Sequence, residues 1–419
     1  MSSTVQYTDM KDSGIKWIGS VPSHWHLHTL YQLATQVKNK NSDLREKNLL
    51  SLSYGKIKRK DINTNDGLLP ASFDGYNIIE AGDIVLRLTD LQNDHTSLRV
   101  GQATERGIIT SAYTTLRAIN LAHSRYLYYL IHAFDLKKGF YGMGSGVRQG
   151  LNYDEVKELR VVIPSQAEQD AIVTYLDDVC KQIDLMIDEA SASLGEYKKW
   201  RITVIQNAVT KGIRTQRELK ASQLDWIEEI PATWETKKIK YFGDQTALHS
   251  ETNSGYIGLE NIESGTGRYV ESKNSDFEAE GVALQVVPGD VIFGKLRPYL
   301  AKSYLVTENG CCSTEFIVIH ANKCCPRYLK YVMLSPKFVD IINMSTYGAK
   351  MPRANWNFIG SVKAPFPAIE EQEEIADSLD KHCSRIDSLI EEKQKLIVEL
   401  ESYKRSLIYE TVTGKRKVV

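Results

Sequence analysis

Basic and amide side chains set among turn residues are the part of this sequence whose types and spacing suit chemistry. Lys56, Lys58, Arg59 and Lys60 cluster beside Tyr54 and Asn63. Arg87 and Arg297 sit at or just past two similar apolar runs, with Lys295 beside the second. Arg148, Gln149 and Asn152 share a Gly-containing stretch whose counterpart further on holds Lys350, Arg353 and Asn355. Arg, Asn and Gln make paired contacts with guanine and adenine edges, while loop lysines neutralise phosphates, so this pattern suits nucleic acid. The competing reading is a solvated face, since a KIKRK run needs no ligand.

Motifs for catalysis are missing. Gly55-Lys56-Ile57 and Gly294-Lys295-Leu296 lack the second glycine and the hydroxyl of a phosphate loop. Glycines 142, 144 and 146 are not set between a strand and a helix start with an acidic ribose partner, and read as a loop. The Asn/Asp-Pro-Pro-aromatic tetrapeptide of adenine methyltransferases is absent, as are a GxSxG elbow and an HExxH pair. Glu271-Ser272-Lys273 is half of a nuclease motif without its Pro-Asp strand, and His24, His26 and His28 read as surface residues. The chain is therefore expected to be non-catalytic and to need no cofactor or metal of its own. Six cysteines in 419 residues do not make a disulfide framework. The adjacent pairs Cys311-Cys312 and Cys324-Cys325 lack zinc-ligand spacing, and are expected to place at least one of each pair in the core.

Bulk composition adds limits. With 52 Lys and Arg against 53 Asp and Glu, the net charge of −1 gives no global pull on a polyanion, so any such binding must rest on local charge. No run approaches the ~18 to 20 apolar residues of a membrane helix and no secretory signal is visible, so a cytoplasmic location without membrane association is expected.

The elements that must position these residues are two helices. From Gln166 to about Lys211, apolar residues fall at Ile172, Leu176, Val179, Ile183, Met186, Ala190, Leu194, Tyr197 and Val204, spaced mostly by fours and threes. A second stripe follows near the C-terminus: Ile375, Leu379, Ile386, Leu389, Leu396, Leu400, Tyr403 and Leu407. Pairing the two stripes would bury both in a coiled coil, a rod of roughly 65 Å at about 1.5 Å per residue. Gly195, His382 and Lys393 weaken the seams locally.

Everything else repeats with them. WIGSVPSHW, with Trp17, Pro22 and Trp25, matches WIEEIPATW, with Trp226, Pro231 and Trp234, at a constant separation of 209 residues. GDIVLRL from Gly82 answers GDVIFGKLR from Gly289, and RYLYYL from Arg125 answers RYLKYV from Arg327. Between them lie short apolar runs bounded by turn residues: Leu49 to Leu52, Ile84 to Leu88, Tyr113 to Ile119, Tyr256 to Leu259, Val291 to Phe293 and Phe316 to Ile319. With helices expected at 124–134 and 326–334, the fold class is α+β (mixed α/β), duplicated with pseudo-twofold symmetry. The expected segments are a globular domain over 1–163, a helix over 164–213, a second domain over 214–366, and a second helix with a tail over 367–419. Stretches that differ, 38–73 against 247–277, should carry what distinguishes the halves.

This order, ending in IPSQAEQDAIVTYLD and again in FPAIEEQEEIADSLD, closely resembles the DNA-specificity subunit of type I restriction-modification systems over nearly the whole chain. The resemblance implies two target-recognition domains held apart by an antiparallel coiled coil, each reading half of a bipartite, asymmetric site in double-stranded DNA. It also implies partners: two adenine-N6 methyltransferase subunits and motor-nuclease restriction subunits, which would use S-adenosylmethionine, ATP and Mg. The framework residues carried over are the Trp/Pro openings, the Gly-Asp strands, and the helix starts at Glu168-Gln169 and Glu371-Gln372. A duplicated coiled-coil adaptor that binds proteins instead of DNA is the alternative.

Overall fold

The computed structural model describes residues 6–63, 70, 72–143, 150–250, 254–271, 282–346 and 351–418. Its contacts divide the chain into two compact units, one built from 1–189 with 396–419 and the other from 190–395. Each unit therefore combines one globular region with a portion of both long helices.

The two globular regions share one topology. In the first unit an antiparallel sheet runs in the order Ala34–Gln36, Thr114–Ala118, Ile84–Leu86, Val100–Gln102. In the second the order is Asp244–Thr246, Phe316–His320, Asp290–Gly294, Ser303–Leu305, again antiparallel. Central strands such as IVL and DVIFG are apolar because both faces are covered, and all their residues are buried. A two-stranded ribbon closes each region, His26–Thr29 with Arg160–Ile163 and Glu235–Lys238 with Lys363–Phe366, delivering the chain to the start of a long helix.

The helix after the sheet differs between units. Ser124–Leu136 is continuous, whereas Pro326–Leu334 and Pro336–Met344 are separate helices. Pro336 is the cause: it forces the preceding Ser335 into extended backbone, with ψ 134°.

Both long helices form, Gln166–Lys211 and Ile369–Val412. In the second unit they run antiparallel: Arg201 meets Asp387 at 2.8 Å, while Arg214, just beyond the end of the first helix, meets Glu374 at 2.8 Å near the start of the second. In the first unit Lys404 meets Asp184 at 2.6 Å, and Leu407, Ile408 and Val412 share a core with Ile172, Leu176 and Ile183. The expected seam needs correcting in detail. Ile172, Leu176, Ile183, Ala190, Ile375, Leu379, Ile386 and Leu407 are buried, but Val179, Leu194, Tyr197, Leu389 and Leu400 are half-buried. Met186, Tyr403 and Leu396, the last 39 % exposed, face outward. Near its two ends the stripe is wider than a narrow coiled-coil seam, taking in Cys180, Ile205, Ala208, Val209, Ala376, Cys383, Ile408 and Val412, because there each helix also packs on a globular region.

All six cysteines are free and buried, both members of each adjacent pair included. Burial pushes the thiols of Cys312 and Cys324 up to about 12, so they behave as small apolar residues. Among the described residues no group of three or more His, Cys, Asp or Glu is arranged to hold a metal ion, and no helix is long and apolar enough to cross a membrane.

Candidate nucleic-acid interface

A repeated junction fixes each globular region on its helices. Trp25 and Trp234 are buried, and the indole N–H of each donates to the glutamate of the EQ pair, at 3.4 Å to Glu168 and 2.9 Å to Glu371. Burial acts to raise both carboxyls, but hydrogen bonds from His24, Ser165 and Trp25 to Glu168, and from Arg217 and Trp234 to Glu371, hold them below the usual range. The neighbouring glutamines close the helix start: Gln169 and Gln372 each donate to the carbonyl five residues back, at Pro164 and Pro367, and Gln372 also accepts the Cys325 N–H at 2.9 Å.

The RYL segments supply a second clamp. Arg125 and Tyr129 both bond Asp177, and Arg327 and Tyr331 both bond Asp380. Between them Tyr126 donates to the carbonyls of Val162 and Val412, and Tyr328 to that of Pro365. The Gly-Asp pairs make a third repeated feature. Gly82 and Gly289 take φ of 93° and 94°, open to glycine at little cost, and the next Asp accepts the N–H three residues back, of Glu80 and Val287. Sequence order alone marks these residues as framework; the bonds explain why.

Against this shared frame, the candidate DNA-contacting residues of the first unit are dispersed. Lys56, Lys58 and Arg59 lie on the outer strand of a hairpin, Leu50–Ser53 with Lys56–Arg59, whose turn is Tyr54-Gly55 with positive φ at both residues. Lys58 is exposed, Lys60 is half-buried just past the strand, and Lys56 lines a 320 Å³ cavity against Arg125, Asp177 and Lys404. Arg59 is held by Glu105 with Nε–O distances of 2.8 and 3.0 Å, and Arg87 lies 3.6 Å from Asp94. Asn152 caps the short helix Tyr153–Val156, its side-chain oxygen accepting from Asp154 and Glu155. A bidentate adenine contact would use the same oxygen, which here serves the helix start. Arg148 and Gln149 lie outside the described residues.

In the second unit the candidates converge. Lys295, Glu315, Arg353, Asn355 and Trp356 line one cleft of about 470 Å³. It is built by backbone bonds among three segments: Arg297 N–H to Pro352, Ala354 N–H to Lys295, and Lys295 N–H to Glu315. Arg353 donates to Glu315 at 2.8 Å, and Asn355 caps Trp356–Ser361 by accepting from Phe358. Lys295 carries no carboxylate partner among the described residues, and Arg297 stands exposed beside the cleft. Lys350 lies outside the described residues.

The expectation that basic residues occupy equivalent places in the two halves does not hold at the ends of the Gly-Asp strands. Arg87 N–H bonds Arg99 O as Gly294 N–H bonds Lys302 O, so the counterpart of Arg87 is Gly294, not Arg297. Leu151 N–H bonds Leu88 O as Ala354 N–H bonds Lys295 O, so where the second unit has a lysine in a cleft, the first has buried Leu88. Counted from the Gly-Asp pair, Arg297 stands three residues beyond the position equivalent to Arg87.

Arg99 was not singled out by sequence. Wholly buried, its guanidinium donates to the carbonyls of Arg87, Thr89, Asp90 and Asp94 and to the Tyr141 hydroxyl, folding the 87–98 loop around itself. No spacing signals this, because the acceptors are backbone atoms that every residue carries.

The framework and the loops together match a known family. The model for the type I restriction modification DNA specificity domain matches residues 28–192 and again 231–400. The chain belongs to this family. Among curated DNA-specificity subunits it is 22 % identical over 316 residues to the type I restriction enzyme EcoDI specificity subunit of Escherichia coli, covering 70 % of each chain. It is 23 % identical over 425 residues to the putative MjaX specificity subunit of Methanocaldococcus jannaschii, covering 96 % of each. A solved structure described as the basis of complex assembly and conformational transition of the type I R-M system shares the fold at a TM-score of 0.67 and 12 % identity, covering 94 % of this chain and 98 % of that one. The general role of a type I DNA-specificity subunit is target recognition, and the duplicated match corresponds to the duplicated junction described above.

Proposed function

We propose that this specificity subunit reads a bipartite, asymmetric site in double-stranded DNA, one half-site with each globular region, and directs partner methyltransferase and restriction subunits to it. The observation that carries the reading is a contrast: the tryptophan–glutamate bond, the glutamine bond to the proline carbonyl and the Arg/Tyr clamp on an aspartate repeat in both units, while the loops they support differ in charge and composition. Identical loops would read the same bases and imply a palindrome; Leu88 against Lys295 and Arg87 against Gly294 imply two different half-sites. The subunit is non-catalytic on this reading, and adenine-N6 transfer, with its S-adenosylmethionine, belongs to the partners, as ATP and Mg belong to the motor-nuclease subunits. A net charge of −1 fits a subunit whose phosphate contacts are shared with partners.

Genome-wide mapping of N6-methyladenine in the source cell, with and without the gene, tests this. A bipartite asymmetric motif methylated only when the gene is present is expected. A palindromic or continuous motif, or no gene-dependent methylation in cells that express the partner methyltransferase, would overturn it.

A further inference from the structure

In the second unit a tight turn presents an arginine and a tyrosine from a strained, fully bonded platform. The turn Pro298–Leu300 is flanked by Arg297 at φ 51°, ψ 60° and Ala301 at φ 47°, ψ 52°, both left-handed. For residues with a Cβ each such conformation is strained, and glycine at either place would remove the strain. The surroundings hold it regardless. Arg297 N–H donates to Pro352 O at 2.8 Å, Leu300 N–H to Arg297 O at 2.9 Å, and Ala301 N–H to Pro298 O at 2.8 Å. Pro298 is buried beneath the turn, while Arg297 is exposed and the Tyr299 ring is 50 % exposed.

Charge pairing separates Arg297 from the other candidate arginines among the described residues. Arg59, Arg87 and Arg353 already lie against Glu105, Asp94 and Glu315. Among the described residues the Arg297 guanidinium has no acidic partner, and the residue is exposed, so within that set its fork of donors is unspent.

The turn is also tied to the long helices of its own unit. Gly265 N–H lies 3.0 Å from Leu300 O and 3.2 Å from Ala301 O. The carbonyls of Gly265 and Thr266 accept from Arg201 of the first long helix, at 2.9 and 3.2 Å. Arg201, its side chain 6 % exposed, is paired through Nε with Asp387 of the second long helix at 2.8 Å. A continuous chain of bonds thus runs from both helices through the 265–266 turn to the backbone that carries Arg297.

We infer that the 297–301 turn is the guanine-reading element of the second unit, with Arg297 donating to guanine O6 and N7, and that Arg201 is the residue that positions it. The inference rests on the DNA-recognition reading and deepens it. A planar guanidinium matches the paired acceptors of guanine in the major groove, and a rigid backbone fixes the register of that fork without loss of backbone entropy on binding. Tyr299 supplies an aromatic face beside it. Arg201 acts through the turn and does not touch DNA.

The test uses the full-length chain assembled with its cognate methyltransferase subunits, acting on a randomised duplex library and read by N6-methyladenine sequencing. Arg297→Ala is expected to relax a guanine at one position of one half-site, with discrimination there falling about 5- to 150-fold and the other half-site unchanged. An unchanged motif would overturn the assignment, and so would a uniform loss of methylation accompanied by a weaker salt dependence, since that marks a phosphate contact. Tyr299→Ala, at an exposed side chain, is expected to lower discrimination beside the same position; no change there removes Tyr299 from the element. The double variant Arg201→Met with Asp387→Leu replaces the ion pair by apolar side chains and so spares the fold. It is expected to blur the same guanine position while leaving the other half-site sharp. A sharp position in this variant, with Arg297→Ala still active on it, would remove the positioning role alone. A wild-type complex that methylates no bipartite motif would instead refute the underlying reading.

Discussion

The two units make the same junction and use it differently. Asp184 and Asp387 occupy equivalent places on the two long helices, and so do their partners Lys404 and Arg201. In the first unit the pair is part-exposed, with Lys404 24 % and Asp184 38 % accessible. In the second it is nearly sealed, and the arginine's extra donors reach two carbonyls of a loop turn. A lysine delivers a single compact charge, whereas an arginine spans several acceptors in a plane. The same geometric position is therefore a solvated ion pair in one unit and a structural tie in the other.

The deepest shared feature should give the largest effect. Trp25→Ala and Trp234→Ala each remove a buried indole and leave a glutamate short of a donor, and each is expected to cost about 3 to 5 kcal/mol in chemical denaturation. Unequal costs would break the equivalence of the two junctions. Next, Arg201→Met alone strands the buried Asp387 carboxylate and should cost about 3 kcal/mol or more, while Lys404→Met should cost no more than about 1 kcal/mol. Similar losses for both would contradict the contrast between sealed and solvated pairs.

Acid sharpens the comparison further. His132 is buried in the first unit with Nδ1 unpartnered, and burial, helped by Lys404 and Arg125, depresses it to about 4. Its counterpart in the second unit is Leu334. A depressed histidine stays neutral in the fold, so its stabilising contribution is complete above the unfolded value of about 6.5 and is lost as pH falls toward 4. Asp135, raised to about 6 by burial, acts in the opposite sense, the fold gaining as pH falls from 6 toward the ordinary carboxylate range. His132→Phe should therefore reduce the acid lability of the first unit by about 3 kcal/mol at pH 4, leaving the second unit unaffected, as followed by hydrogen exchange in each. Equal acid lability with and without the histidine would refute the assignment.

The smallest effects concern the two asparagines. Asn152→Ala and Asn355→Ala should each cost about 1 kcal/mol as lost helix caps and leave the methylated motif unaltered. A changed motif would return these residues to the list of base readers.

Much of the architecture was legible because it is written in periodic or repeated residues. The fours-and-threes spacing located both long helices, and the alternating runs located the sheet strands within a residue or two. The doubled WIGSVPSHW and WIEEIPATW segments exposed the duplication. The candidate interface was much less legible. Arg87 and Arg297 were read as basic residues at or just past matching strands, whereas hydrogen-bond register places Arg87 opposite Gly294, three residues before Arg297; a charge pattern carries no register. Asn152 and Asn355 cap helices, a role spacing did not signal, because an amide that caps a helix and an amide that reads adenine are the same chemical group.

What the sequence determined by itself, then, is which segments pair and which are equivalent, since periodic apolar faces must be buried and copies of one segment bury them in one way. Only the tertiary structure decided which charges are free. Whether an arginine is spent on Glu105, Asp94 or Glu315, or has no acidic partner among the described residues as Arg297 does, depends on which acceptors the fold brings beside it. Apolar burial is governed by average composition along an element, but a hydrogen bond is decided by a few tenths of an ångström between atoms that only folding brings together.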